Sequence, residues 1–542
     1  MKRIVLPTLF LLGASSAIMG QSAVDALQLS QSDFRGTARF MSMGGAFTAL
    51  GGDLSTLTQN PAGIGIYRHS EIGATLDIDI QSTKGTSAST SINNNQTKVA
   101  CNNFGYVGVA NLGGVMQSFQ WGVTYGRNVS FDRLYSGYQN PTQTSLSNYV
   151  ASFSNGYKAQ DLAFGEKYDP YLDSDCDWLS ILAYTSGLIN LRQGSDNQYK
   201  GLYHNNTIGD ALLHVREKGY IDQYSFNFGG NFSDMIYWGL GIGVTDLNYT
   251  RITEYSESME NAAILNLQQG QQGGDAGFTL SNYKHITGTG WNLKFGLIFK
   301  PINELRIGAA IHSPTWYSLD ENYDAAIDYS YFNPALPESN DKDNPNPIAG
   351  NEYSDIASFS WRLRSPWKFM VGAATVIGGK FILSADYEYQ AYPDMTVKNA
   401  NYDGYGYLND YVDNKAVIND IKSYTQAANN IRIGAEYRVT PNVSVRAGYN
   451  TTLSNIKSDV RDGNVDVVTA GTDPSFTLDK TRNNICVGLG YRTGAFSIDA
   501  AYVHSSRESI LKPYTDFNSS ISPSYSIKDN NNDIVLSLAY RF

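Results

Sequence analysis

Charge is scarce in this chain: Asp, Glu, Lys and Arg make up 17% of its 542 residues, against about 25% in ordinary soluble domains. Disorder needs the opposite balance, much charge and few aromatics, yet aromatics reach 13% here, with 38 Tyr. Cysteine is nearly absent, at three residues, which excludes a disulfide-built scaffold. Long apolar runs are missing after residue 20, and mean hydropathy is −0.31. A polytopic helical membrane protein needs several runs of about 20 apolar residues. Positive charge is also in deficit, with a net charge of −11 and a pI near 5.1, so nucleic acid is not an expected partner. Many Tyr, 51 Gly, little charge and no helical spans leave one membrane class open, the β-barrel.

Lys2 and Arg3 precede an apolar run over residues 4–12, and small residues follow to Gly20. This is the pattern of a secretory signal peptide over residues 1–20, cleaved near Gly20/Gln21. The run is too short to span a bilayer. No Cys stands near the cleavage point, so a lipid anchor is not expected. Export without a later stop-transfer helix leaves the periplasm, the outer membrane or the exterior.

Periodicity gives the architecture. Near the C-terminus Ile534, Leu536, Leu538, Tyr540 and Phe542 alternate with Val535, Ser537, Ala539 and Arg541. Ile485, Val487, Leu489 and Tyr491 likewise oppose Cys486, Gly488, Gly490 and Arg492. Period two, with one apolar face and one small or charged face, marks a strand between lipid and water. The pattern predicts fourteen strands: 71–82, 102–111, 119–132, 220–232, 235–255, 286–300, 305–319, 358–375, 380–395, 429–439, 443–454, 483–492, 495–508 and 533–542. Alternation alone also fits a soluble sandwich, and the connections discriminate. Short turns (Gly113-Gly114, Ser233-Asp234, 301–304, Gly378-Gly379, Pro441-Asn442, Thr493-Gly494) alternate with long loops at 83–101, 133–219, 256–285, 320–357, 396–428, 455–482 and 509–532. Transmembrane barrels have short periplasmic turns and long extracellular loops, which puts both termini in the periplasm. The expectation is a fourteen-stranded antiparallel transmembrane β-barrel over residues 71–542. The largest loop, 133–219, carries Leu179, Ile181, Leu182, Leu188 and Ile189 and is expected to form short helices over the mouth.

A barrel of this size leaves a hole that needs a plug. Residues 21–70 are too rich in Gly and small side chains to build their own core. Short helices packed in the lumen by close backbone approach suit them.

Asn60-Pro61-Ala62-Gly63 closes this Gly/Ala-rich segment just before the first strand. With His312-Ser313-Pro314-Thr315 and Ser384-Ala385-Asp386-Tyr387-Glu388-Tyr389, it resembles the FadL family of outer-membrane transporters for long-chain fatty acids and other hydrophobic compounds. The rest of the plug departs from the enterobacterial pattern, so the chain looks like a divergent branch. The resemblance implies a barrel in the outer membrane of a Gram-negative bacterium, inserted by barrel-assembly machinery that reads a terminal aromatic strand, here Tyr540 and Phe542. It implies passive uptake: capture of a hydrophobic small molecule at the outer loops, movement of a hatch around Asn60, Pro61, Ala62 and Gly63, and sideways release into membrane lipid. In the family an inward kink of the third strand makes the side opening. Gly122, Gly126 and Asn128 are the candidates here, Gly126 foremost because glycine marks bends; small-residue packing in the lumen explains it equally well. Apolar burial would dominate affinity.

Other chemistry is weakly marked. His69, His204, His214, His285, His312 and His504 are scattered, without zinc-ligand spacing. A haem-receptor reading would rest on His204 and His214. Asp173, Asp175 and Asp177 imitate the start of a calcium loop but lack its glycine and terminal Glu. Gly239, Gly241 and Gly243 read as a strand with lumen glycines. A Cys101–Cys176 bridge is left open, and Cys486 is expected to face the lumen. No catalytic, metal or cofactor residue can be singled out. A barrel enzyme of the lipase or protease kind, or an adhesin, remains as an alternative.

Overall fold

The computed structural model describes residues 21–87, 90–264, 273–341, 345–403, 407–515 and 523–542. The expected signal peptide, residues 1–20, lies outside them.

Fourteen antiparallel strands form the wall. They are β1 (Glu71–Thr86), β2 (Ser91–Asn111), β3 (Met116–Ser130), β4 (Ile208–Phe232), β5 (Ile236–Ala262), β6 (Gly274–Phe299) and β7 (Leu305–His312, then Trp316–Phe332). They continue as β8 (Ala357–Arg364, then Lys368–Ile377), β9 (Phe381–Gln390, then Thr396–Tyr402), β10 (Ala428–Arg438), β11 (Val443–Thr452), β12 (Phe476–Thr493), β13 (Phe496–Lys512) and β14 (Tyr525–Arg541). β14 pairs with β1 from Arg541 opposite Glu71 to Ser526 opposite Thr86, which closes the ring.

Side-chain parity explains why these residues form this wall. On β14 Ile534, Leu536 and Leu538 are about half exposed on the outside, while Val535 and Ser537 are buried inside. The same outward apolar row recurs on β6 (Trp291, Leu293, Phe295) and β12 (Ile485, Val487, Leu489). Strand pairing satisfies the backbone across the girdle, and the apolar outer face is that of a wall set in lipid. The barrel therefore spans a membrane. The short turns are built as the sequence predicts. Ser233 and Asp234 both adopt positive φ, 53° and 56°, as a two-residue hairpin turn requires.

Strand length differs from the expectation. β4, β5 and β6 have 25, 27 and 26 residues, far beyond 220–232, 235–255 and 286–300. The expected loop 83–101 is mostly ladder, with β1 and β2 paired out to Thr86 opposite Ser91. Loops 256–285 and 509–532 are shortened from both ends in the same way, with strands running to Ala262 and Lys512 and starting again at Gly274 and Tyr525. Past the lipid both strand faces are wet or covered, so polarity stops alternating while the hydrogen bonds continue. Two strands expected to be continuous, 305–319 and 358–375, are broken at Ser313-Pro314-Thr315 and Ser365-Pro366-Trp367. Proline has no N–H for the ladder, and the breaks meet side by side, Thr315 N donating to Ser365 Oγ at 2.8 Å.

The lumen holds residues 21–70. They form α1 (Ala23–Leu29), α2 (Ala38–Ser42), α3 (Thr56–Gln59) and a 3-10 turn (Pro61–Ile66). The wall receives this segment on glycines: a Cβ on Gly308 would overlap Thr48 O, one on Gly448 would overlap Gly44 N, and one on Gly239 would overlap Pro61. The stretch from Ser42 to Gly65 is thus a collar fitted backbone-to-backbone against the ring.

The connection between β3 and β4 carries the expected short helices: α4 (Leu146–Ser154), α5 (Ala159–Leu162), α6 (Pro170–Asp173) and α7 (Trp178–Thr185). Leu146, Val150, Ile181, Leu182, Leu188 and Ile189 are fully buried there against inward residues of the long strands. This apolar cap covers the mouth. Later connections add α8 (Lys415–Tyr424) and α9 (Ser458–Arg461).

Candidate functional site

The ladder between β2 and β3 is incomplete. It runs from Asn111 opposite Ser118 to Asn103 opposite Gly126, and there it stops. β3 continues along β4 to Ser130, and after Phe131-Asp132 residues Arg133–Gln139 resume the pairing with β4. This upper part leans into the lumen. Arg133 reaches Asp529 of β14 at 2.7 Å, and Tyr135 Oη lies 3.1 Å from Thr477 Oγ1 of β12. The departing strand leaves the edge of β2 over residues 91–102 without a β3 partner, apart from side-chain links such as the ion pair of Lys98 with Asp132.

The plug occupies the break. Asp33 N donates to Asn128 O at 2.9 Å, and Ser130 N donates to Asp33 Oδ2 at 2.9 Å. One plug residue thereby supplies the hydrogen bonds that a neighbouring strand would supply. Asp33 is itself held by Arg482 of β12 at 2.7 Å. Arg35 bonds Asp77 at 2.8 Å, Asp79 at 2.9 Å and Asn102 at 3.2 Å. Burial pushes the Asp33 carboxyl up, but Arg482 and Arg35 outweigh it and hold the group below the usual carboxylate range.

Immediately before this strap, α1 fills an apolar hollow. Ser22 and Asp25 form its capping box, and Asp25 pairs with Lys284 at 2.9 Å. Ala23, Ala26, Leu27 and Leu29 are buried among Val129, Phe131, Leu247, Tyr249, Ile286 and Trp361. Val129 and Phe131 belong to the bend of the third strand. The open cavities beside the strap differ in character. One of about 170 Å³ runs past Arg127 and Asn128 to Lys294, His312 and Lys368. Another of about 80 Å³ is lined by Asp33, Arg35, Asp79, Arg482, Arg507 and Asp529 among others. The vacant spaces are therefore charged and polar, and the apolar surface expected of the lumen is covered by α1.

The sequence-predicted residues fall into distinct places. Asn60, Pro61, Ala62 and Gly63 lie in the collar, away from the break. Asn60 caps the 3-10 turn, its Oδ1 accepting from Ala62 N at 3.1 Å, and its Nδ2 donates to Thr48 O at 2.6 Å. Gly122 packs under Leu57 and Ile64 of the plug. Gly126 marks the end of the β2 ladder and is buried with room for a methyl group, a Cβ built there lying 3.9 Å from Asn102 O. Asn128 lies just past it, Nδ2 donating to Gln223 Oε1 at 2.8 Å. Tyr540 and Phe542 are exposed outside and stack at 5.9 Å. Cys101, Cys176 and Cys486 are all free, so the Cys101–Cys176 bridge is not formed; Cys486 is buried inside as expected. His214 Nδ1 lies 2.6 Å from Ser136 Oγ, and His204 sits in a turn. Asp173 accepts from Asp169 N at 2.8 Å and Asp177 from Tyr157 Oη at 2.9 Å, which makes that acidic run a set of helix-end contacts. Asp33 and Arg35 were missed. Their signal in the sequence is two opposite charges two residues apart in the plug, matched by lumen-facing Asp77 and Asp79 on a strand whose outer face is apolar.

A family model described as TonB dependent receptor-like, beta-barrel matches residues 154–533, a stretch that excludes the plug. No curated protein matches the chain. Among solved structures, a FadL homologue from Pseudomonas aeruginosa aligns with a TM-score of 0.50 at 13% identity, over 94% of this chain and 99% of that one. The Ralstonia pickettii toluene transporter TbuX gives 0.44 at 15% identity over 95% and 100%. The Pseudomonas putida toluene transporter TodX gives 0.43 at 13% identity over 94% and 99%. At such identities the first of these likenesses is one of fold.

Proposed function

Because the chain belongs to the TonB dependent receptor-like β-barrel family and closes as a membrane barrel, we propose that it is an outer-membrane channel for hydrophobic and amphiphilic small molecules. It takes them in at the cap, holds them in the hollow that α1 now fills, and releases them sideways between β2 and β3. The orientation that goes with this reading puts the cap outside the cell and the short turns and both termini in the periplasm.

The observation that carries the reading is the stand-in role of the plug at two adjoining places. Asp33 replaces a strand partner on β3, and α1 replaces an apolar guest against Val129 and Phe131. A ligand that displaces α1 pulls on Asp33, four residues past its end at Leu29, and uncovers the break. The collar below stays in place, so the wall opening is the remaining route. Leu27, Leu29, Ala23 and Ala26 bury about ten side-chain carbons, and at about 0.8 kcal/mol per methylene an alkyl chain of about ten carbons matches them. A long-chain fatty acid has at least that much alkyl chain, enough to cover the hollow, and its carboxylate finds Arg127, Lys294 or Lys368 in the adjoining cavity.

The test is uptake of a labelled long-chain fatty acid by cells or outer-membrane vesicles. Wild type is compared with a variant lacking residues 22–30 and with Pro61→Ala. Saturable uptake that changes with the 22–30 deletion supports the reading; a folded barrel without uptake removes fatty acids as the substrate. The family name favours one second reading, energised transport through a TonB-type partner. Uptake that survives a protonophore fits the passive channel, and uptake abolished by it fits the energised one.

A further inference from the structure

The end of the barrel that carries the short turns holds a cavity of about 760 Å³ between the collar and the wall. That size is typical of small-molecule sites, which span about 300–1,000 Å³. Its lining is strongly one-signed. Arg39 and Arg68 come from the plug, and Arg306 of β7, Arg438 of β10, Arg446 of β11, Arg492 of β12 and Arg541 of β14 come from the wall, against Glu436 and Asp499. The whole chain has a net charge of −11, so this concentration runs against its composition. Strand parity points these wall arginines inward: Tyr437, Tyr491 and Tyr540, next to Arg438, Arg492 and Arg541, are exposed on the outer face.

Four of the seven arginines are neutralised. Arg39 meets Glu436 at 3.1 Å, Arg446 meets Glu436 and Asp499 at 2.6 Å each, Arg68 meets Asp234 at 2.6 Å, and Arg541 pairs with Glu71. Arg306, Arg438 and Arg492 make no ion pair among the described residues. Arg306 donates once, to Leu50 O at 2.8 Å, and its Nε is buried without a partner. Guanidinium groups grouped in a walled cavity raise the local potential and concentrate anions, and their planar forks match the oxygens of phosphate or carboxylate two at a time.

We infer that this cavity is an anion-binding site for a ligand bearing two or more phosphate or carboxylate groups, with Arg306, Arg438 and Arg492 as its unpaired ligating arginines. The shared chemistry is that of a soluble polyanion or of the headgroup of an anionic lipid. The site is independent of the transport reading, since it lies on the other side of the collar from the break in the wall.

The experiment titrates pyrophosphate into the purified full-length barrel in neutral detergent, followed by calorimetry. In parallel, native mass spectrometry reads phosphatidylglycerol retained from mixed-lipid nanodiscs. Wild type is expected to bind pyrophosphate saturably, R438Q/R492Q at least tenfold more weakly, and R362Q, at the cap end, like wild type. R438K/R492K keeps the charge but loses the fork, and is expected to fall between. Retention of phosphatidylglycerol that is lost in R438Q/R492Q, without pyrophosphate binding, assigns the site to a lipid headgroup. Neither ligand bound by wild type, or equal binding by wild type and both double variants, overturns the inference.

Discussion

Asp33 of the plug and Asn128 of the third strand are joined main chain to main chain, N–H to carbonyl, at 2.9 Å. The bond lies two residues past Gly126, where β2 leaves β3. A sheet edge exposed in a membrane wall would carry unsatisfied donors and acceptors at a cost of several kcal/mol. The plug residue satisfies two of those groups on β3, Asn128 O and Ser130 N, so the closed state depends on where the plug sits.

Asp33→Ala is expected to loosen the strap without unfolding the wall. It deletes the bonds to Arg482 and to Ser130 N. Hydrogen bonds to charged, largely buried groups contribute about 1–3 kcal/mol, equivalent to a shift of about 5- to 150-fold between closed and open forms. Limited proteolysis of residues 21–37 should accelerate by that order, and uptake should rise. Unchanged proteolysis and unchanged uptake would mean that the strap is not what holds the plug.

The pH dependence of the strap has a definite sign. Arg482 and Arg35 hold the Asp33 carboxyl below its ordinary value, and they outweigh its burial. A group lowered on folding stabilises above its unfolded pKa, about 3.9, and that contribution is lost only as the pH falls through its folded pKa. Release of the plug through Asp33 is therefore expected below about pH 4, and Asp33 should add no pH dependence between pH 5 and 8. Protection of residues 21–37 from protease, followed against pH in wild type and Asp33→Asn, reads this directly.

The glycines divide into two kinds. Gly448→Ala places a methyl group on the backbone of Gly44 and should cost about 1–3 kcal/mol or displace the collar. Gly126→Ala meets only ordinary contacts, at 3.9 Å or more, and should stay within about 0.5 kcal/mol of wild type. Heat-modifiable migration on gels and thermal unfolding separate the two. Equal destabilisation at both positions would mean that Gly126 is packed in the membrane-inserted protein.

The sequence showed its strands where lipid imposes a contrast: Ile534, Leu536 and Leu538 against Val535 and Ser537 could be placed from polarity alone. It hid β1 beyond Ser82 and β2 before Asn102, because Asn93, Asn94, Asn95 and Gln96 give the ladder no apolar face. Pro314 and Pro366 were visible, but their alignment across two strands is a fact of register. The plug was legible as a plug from its small residues. Its path was not, because the wall glycines that receive it lie hundreds of residues away. Asn60, Pro61 and Ala62 are read from the sequence as the moving part; the structure places them in the collar, where Asn60 bonds Thr48 O. Asp33, which touches the break, acquires its role from Asn128 and Arg482, both distant in the chain.

The most direct measurement is a reversible tether between the strap and the third strand. Asp33→Cys and Asn128→Cys, in a background with Cys101, Cys176 and Cys486 replaced by Ser, place two thiols where the main chains already meet. They can be joined by oxidation or by a short bis-maleimide. Uptake of labelled long-chain fatty acid is then compared in the tethered, reduced and untethered barrels. Sideways release past a movable strap predicts uptake lost on tethering and restored on reduction. Uptake by the fully tethered barrel at the reduced rate would contradict it, and would send the ligand through the lumen by another route.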